Sequence, residues 1–162
     1  MSDPKQELPY RPCVGVLMFN DEGRVFVGKR IDTPEPAWQM PQGGIDEGEA
    51  PDRAALRELK EEIGTGNVEL VAESKDWINY DLPGELAAKL WKGRYRGQTQ
   101  KWFAARFLGA DTEIDVHGVA RPEFNDWRWV GLDELPSLIV PFKRKAYERV
   151  VAEFRGIIVK SN

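Results

Sequence analysis

Cysteine and histidine are almost absent: the 162-residue chain holds one of each. A single cysteine, Cys13, excludes an internal disulfide framework, and its apolar neighbours mark it as a buried, inert thiol. The one histidine, His117, lies beside Asp115 and Gly118 in an expected loop and is assigned no catalytic role. Long hydrophobic runs are missing as well. No stretch approaches the roughly 18 unbroken apolar residues of a membrane span. The polar opening from Met1 to Pro9 has no apolar segment of a secretory leader, so the cytoplasm is the expected compartment. Positive charge is not in excess, the net charge being −4. That balance argues against clamping a long nucleic acid such as DNA, which needs a broad basic surface. It leaves room for a small phosphorylated ligand held by a few local cations.

What is present reads as an ordinary globular protein, with 41% apolar and 31% charged residues. No repeat, low-complexity tract or linker divides the chain. Its length suits one well-buried core and is short for two domains, so a single unit over residues 1–162, with a core of about 10–155, is expected, and a monomer is favoured. Val14 to Phe19 and Val25 to Val27 read as a hairpin around the turn Asn20-Asp21-Glu22-Gly23. Thr33 to Pro36 is a proline-containing loop, and Trp38 to Pro41 a short extended piece leading into Gln42-Gly43-Gly44. Pro51 to Ile63 reads as a helix, with Pro51 in its first turn and Gly64 and Gly66 as stops. Val68 to Tyr80 is largely extended, and Pro83 to Lys92 is a loop or short helical excursion. Trp102 to Leu108 and Phe124 to Val130 are strands, with Trp127 and Trp129 on one face. Phe142 to Phe154 is an amphipathic helix whose stripe is Tyr147, Val150, Val151 and Phe154. Strands and helices alternate irregularly, which implies an α/β fold with a mixed sheet and helices on its faces.

The informative segment begins at Gly43-Gly44 and ends at Gly64. On a helix, Glu58, Glu61 and Glu62 stand at i, i+3 and i+4, so their carboxylates share one patch. Such a patch repels itself unless a counter-ion resolves it. Mg²⁺ is suited, because it takes oxygen ligands and is commonly shared between one or two carboxylates and substrate phosphates. Arg57 can steady one carboxylate from beside the patch. Ala54, Ala55, Leu59 and Ile63 supply the buried side. Gly43 and Gly44 permit close approach of backbone to ligand, through amides for a phosphate or a carbonyl for a metal. Taken alone, the acidic run fits a solvated helix face, with Lys60 as its salt-bridge partner, better than a metal site.

The spacing decides between them. Gly43, Glu49, Arg57, Glu58, Leu59, Glu61, Glu62 and Gly64 fall in the register G-x5-E-x7-R-E-U-x-E-E-x-G-U, and only Thr65 departs from it, at the last aliphatic position. The chain therefore resembles the Nudix hydrolases, and within them the bacterial RNA pyrophosphohydrolase and dinucleoside polyphosphate hydrolase branch. Tyr10-Arg11-Pro12, Trp38 to Gly44, Gln98 to Phe103, Pro122-Glu123-Phe124, Trp127-Arg128-Trp129 and Phe142-Lys143-Arg144 carry the likeness beyond the box. The resemblance implies a Nudix α/β/α sandwich around a mixed β-sheet. It implies that Glu58, Glu61, Glu62 and Glu123, with the backbone of Gly43, ligate Mg²⁺, with Mn²⁺ or another divalent cation able to substitute. Glu49 and Arg57 become supports, and Glu58 and Glu123 the candidate general bases. Arg11, Arg30, Gln98, Gln100, Lys101 and Lys143 are donors suited to a polyphosphate. Tyr80, Val140 and Phe142 are suited to enclosing a base. Each of these taken singly fits a surface or core role. The implied substrates are 5′-triphosphorylated RNA, with pyrophosphate or phosphate released, or dinucleoside polyphosphates cut asymmetrically. A ligand sensor that has lost catalysis is expected to lack some of the three helix glutamates, and all are present. A pyrophosphatase for ADP-ribose or damaged nucleotides is expected to lack the Gln-x-Gln-Lys-Trp and Pro-Glu-Phe pieces.

Overall fold

The structure, a computed structural model, describes residues 8–33 and 35–161, so most of the polar opening and Pro34 lie outside it. Among these residues eight strands form one sheet: β1 (Tyr10–Phe19), β2 (Val25–Arg30), β3 (Trp38–Gln39), β4 (Gln42–Gly44), β5 (Val68–Glu73), β6 (Ile78–Asp81), β7 (Gly97–Phe107) and β8 (Phe124–Val130). The central order is β3-β2-β1-β7-β5, with β4 on β1, β6 on β7 and β8 on β2. β1 and β7 run parallel over ten residue pairs, Tyr10↔Gly97 to Phe19↔Arg106, whereas the other pairings are antiparallel. The sheet is mixed, as the irregular alternation implies.

Side chains alternate across β1 and β7, and each face of the sheet buries its own set. Val14, Val16, Met18, Phe103 and Ala105 pack with Ala54, Ala55, Leu59 and Ile63 of α1 (Pro51–Ile63). On the other face Leu17, Phe19, Trp102 and Ala104 pack with Tyr147, Val150, Val151 and Phe154 of α4 (Arg144–Ser161). This is an α/β/α sandwich. At about 25 cal/mol per Å² of apolar surface, two such buried interfaces are the main favourable term in folding. The small alanines let α1 lie close to the sheet. Gly64 stops α1 in a left-handed conformation (φ 79°), and its N–H closes the last turn on the carbonyl of Lys60.

Several expected boundaries move. β7 begins five residues before the expected Trp102, because its polar stretch Gln98 to Lys101 is held by ladder bonds to β1 and β6 rather than by apolar burial of every side chain. The extended stretch from Val68 breaks into β5 and β6 around Ser74, whose N–H donates to the carbonyl of Trp102 and whose hydroxyl accepts from the Trp102 N–H. Pro41 splits the Trp38 segment into β3 and β4. α4 starts after a 3-10 turn over Pro141–Lys143 and runs past Phe154. The uncertain stretch after Pro83 resolves into α2 (Gly84–Lys89) and a turn over Leu90–Gly93. In that turn Trp91 and Lys92 both take left-handed backbone, φ 48° and 59°, at a cost of roughly 1–2 kcal/mol per residue. α3 (Leu135–Leu138) was not anticipated. Among the described residues no helix is long and apolar enough to cross a membrane.

Candidate functional site

β4 is the floor of the site. It pairs with β1 (Cys13↔Gly44, Val14↔Gly43, Gly15↔Gln42), and the Tyr147 hydroxyl of α4 accepts the N–H of Met40 at 2.9 Å, tethering the segment that feeds it. α1 lies against that floor. A Cβ on Gly43 would fall 2.0 Å from the Glu58 carboxyl, so only glycine allows the helix carboxylate and the strand backbone to meet.

The three helix glutamates line one cleft of about 800 Å³, together with Gly43, Arg57 and Glu123. Their environments differ. Glu62 is buried (2% exposed), with one oxygen accepting the Gln42 N–H at 3.2 Å and Oε1 unpartnered. Burial first, then the nearby Glu123 and Glu58 charges, push its pKa well above the ordinary carboxylate range. Glu58 is mostly buried and also shifted upward by burial, with Arg57 opposing. Glu61 is the exposed member (58%).

Arg57 organises the acids. Nε and Nη2 donate to Glu49 at 2.8 Å each, Nη2 also donates to the Gly44 carbonyl at 2.9 Å, and Nη1 donates to Glu58 at 2.9 Å and Glu61 at 3.3 Å. Its guanidinium holds the Glu49 carboxyl down at about 2. The three carboxylates line one cleft but keep different company. Among the described residues no three acidic, histidine or cysteine side chains stand grouped for a cation; Arg57 bonds Glu58 and Glu61, and Glu62 is buried with Glu123 near it. Lys60, the neutralising residue of the solvated-face alternative, lines the cleft and has no ion pair among the described residues.

A second lobe of about 450 Å³ adjoins the first and shares Arg11, Gly43 and Glu123 with it. Its walls include Tyr80, Val140 and Phe142, with the Tyr80 and Phe142 rings 5.9 Å apart. Lys143, Arg30 and Gln98 line it too. Lys143 is 6% exposed and donates to Gln39 Oε1 at 2.9 Å; burial, then the Arg30 charge, pushes it down to about 7. Arg30 is engaged in a fork with Asp32 (2.7 and 2.5 Å) and also donates to Gln39. Gln100 sits behind the wall, bonded to Gln98 and Gln42 and accepting the Trp102 indole N–H. It supports this lobe without lining it.

Lys101 is the exception among the expected substrate residues. It points to the opposite face of β7 from Gln98 and Gln100, where it meets Glu73 at 3.5 Å and the Lys75 carbonyl at 3.3 Å, over the Trp77 ring. Strand alternation alone decides this. Lys101→Ala is therefore expected to leave KM for a polyphosphate substrate within twofold of wild type, and a tenfold rise in a steady-state assay contradicts the placement.

Sequence reasoning passed over Gln39, whose carbonyl bridges Lys143 and Arg30, and Trp91 and Arg121, which line the lobes. Trp91 reads as a core residue by type, Gln39 as an ordinary polar residue of a short extended piece, and Arg121 as one surface arginine among many. Only contacts across the fold distinguish them. His117 is exposed, and its backbone N–H donates to Asp115 in a tight turn.

The comparisons with known proteins agree with this architecture. The NUDIX domain profile matches residues 9–150. An RNA pyrophosphohydrolase of Cereibacter sphaeroides is 59% identical over 150 residues, covering 91% of this chain and 92% of its own. One from Rhodospirillum rubrum is 58% identical over 152 residues, covering 94% and 91%. Among solved structures, the E. coli dihydroneopterin triphosphate pyrophosphohydrolase superposes with a TM-score of 0.66 over 90% of this chain and 99% of that one, at 23% identity, a likeness of fold. On the match across its length and the register of its glycine, arginine and glutamate positions, the chain belongs to the Nudix family.

Proposed function

We propose that this protein is a divalent-metal-dependent pyrophosphohydrolase that removes pyrophosphate or phosphate from 5′-triphosphorylated RNA ends. The observation that carries the reading is the two-lobed cleft: an acidic lobe opens directly into an aromatic and cationic one at Arg11, Gly43 and Glu123. A nucleoside joined to a phosphate chain has that division of character. The name borne by the relatives above half identity supports RNA as the substrate.

The residues present fit a hard cation. Glu62 Oε1 is a buried acceptor without a donor, beside a second carboxylate, an arrangement that costs free energy unless a positive charge enters. Glu58, Glu61, Glu62 and Glu123, with the Gly43 carbonyl, would hold Mg²⁺, or Mn²⁺ in its place. Such an ion polarises a phosphoryl oxygen and lowers the pKa of a bound water. The chain's own residues do the rest. Tyr80, Val140 and Phe142 enclose the base. Arg11 and Lys143 hold the phosphate chain in line, and Arg57 keeps Glu58 and Glu61 aligned. Glu58 or Glu123 accepts the proton of the attacking water, whose oxygen bonds to phosphorus as the anhydride P–O bond breaks and the leaving phosphate departs with the electron pair.

Lys143 makes the reading sensitive to pH. Its ammonium is lost as pH rises through about 7. KM for triphosphorylated RNA is therefore expected to rise between about pH 6 and pH 8.5 relative to that of Lys143→Gln, the two converging at the upper end. A wild-type KM that stays flat over that range removes Lys143 from phosphate binding.

The second reading, asymmetric cleavage of diadenosine tetraphosphate to ATP and AMP, uses the same two lobes, because the base lobe needs to meet only one nucleoside. A side-by-side measurement of kcat/KM on 5′-triphosphorylated RNA and diadenosine tetraphosphate with Mg²⁺, products identified, separates them. Faster turnover of RNA supports the proposal and faster turnover of the dinucleotide replaces it. Turnover of neither refutes both.

A further inference from the structure

Arg11 stands where the two lobes meet and lines both. It differs from Arg57 and Arg30. Arg57 is surrounded by carboxylates and Arg30 is forked onto Asp32, whereas among the described residues Arg11 has no carboxylate partner. Its guanidinium lies 4.9 Å over the Trp91 ring, with Nη1 3.8 Å from Cys13 Sγ. Nη2 lies so close to Gly44 that a Cβ there would come within 2.4 Å of it. The cation touches both an indole ring and bare backbone.

Trp91 reaches this place from an unusual turn. Trp91 and Lys92 both carry left-handed backbone, and the Trp91 and Tyr95 rings meet in a T-shaped contact, 5.8 Å between centroids. Left-handed backbone at two successive residues with side chains persists only where the surroundings impose it, and such outliers gather at functional sites. Here its result is to lay an indole on Arg11.

We propose that Trp91 is a positioning residue that presents Arg11, charged and unneutralised, to the substrate phosphate passing between the lobes. This rests on the function proposed above. An aromatic face attracts a guanidinium without occupying its N–H donors. A carboxylate partner would restrain Arg11 equally well, but would fill the fork that a phosphate needs. Held in advance, Arg11 loses less side-chain freedom when the anion arrives.

The test is a double-mutant cycle of Trp91→Leu and Arg11→Ala, with Trp91→Phe as the conservative variant. Leucine keeps the apolar bulk of the wall and removes the aromatic face. Two readouts are taken with Mg²⁺: KM and kcat on 5′-triphosphorylated RNA, and Kd for β,γ-methylene ATP, which is read without turnover. Trp91→Leu is expected to raise KM and Kd about fivefold to tenfold with kcat within twofold, Trp91→Phe to remain near wild type, and Trp91→Leu to add nothing once Arg11 is alanine. Thermal melts confirm that the variants are folded. An equal loss from Trp91→Leu in both backgrounds overturns the inference, because Trp91 then acts without Arg11. No loss in either background overturns it as well. If the wild type leaves RNA uncut while the analogue titrations show the coupling, the proposed substrate fails and the role of Trp91 stands.

Discussion

Glu62→Gln is expected to abolish turnover and stabilise the metal-free protein at once. Glu62 is the buried acid of the cleft, its carboxyl shifted upward by burial and by the neighbouring Glu123 and Glu58 charges. If it helps hold the cation, its loss removes several kcal/mol of transition-state stabilisation, or about a thousandfold in kcat. Glutamine keeps an oxygen for the Gln42 N–H and removes the charge. Each kcal/mol so relieved raises Tm by about 2–4 °C in a chain of this size. The pH dependence has a definite sign. Because the folded pKa of Glu62 lies above its ordinary value, the folded state binds the extra proton, and stability falls as pH rises from about 4.5 through the raised value. Metal-free wild type should show that fall in thermal melts and Glu62→Gln should show less of it, the part due to Glu58 remaining. Mg²⁺ should raise the wild-type Tm, most strongly at higher pH, because the cation competes with the proton. An active Glu62→Gln enzyme, or a variant less stable than wild type without metal, contradicts the assignment.

The second large effect is expected at Arg57. Its guanidinium bonds Glu49, Glu58, Glu61 and the Gly44 carbonyl together. Arg57→Ala releases three carboxylates and loosens the glycine strand from the helix. Removing a group that orients metal ligands commonly costs about 10–100-fold in metal affinity or activity, and that range is expected here in the Mg²⁺ concentration for half-maximal rate and in kcat. Arg57→Lys should recover only part, since an ammonium cannot reproduce the fork across Glu49. The ion pair with Glu49 also contributes stability that is present above the ordinary glutamate pKa near 4.5 and is lost as pH falls toward about 2. The acid limb of the wild-type melting profile should flatten in Arg57→Ala. Full activity in Arg57→Ala at low Mg²⁺ would remove Arg57 from the site.

Much of the fold was readable because burial leaves a periodic mark. α1 has the expected bounds, since proline opens it, glycine closes it and Ala54, Ala55, Leu59 and Ile63 fall on one stripe. The polar end of β7 left no such mark. Gln98 and Gln100 are buried because they bond to each other and to Gln42 in the wall of a cleft, and nothing in a local window tells a buried glutamine from an exposed one. Val140 and Phe142 read as core by type and as base-enclosing only through the family likeness, and both line the second lobe. Lys101 was grouped with its neighbours along the chain, although alternation sends it to the other face.

By itself the sequence determined the α/β class, the helix that carries the glutamates and the spacing that puts them on one side of it. These follow from local backbone geometry and from positions a few residues apart. Only the tertiary structure decided that Glu62 is buried beside Glu123 while Glu61 faces water, that Gln39 joins Lys143 to Arg30, and that Arg11 rests on Trp91. Those are relations between segments far apart in the chain, set by which sheet face and which loop each side chain reaches, and a linear pattern holds no record of them.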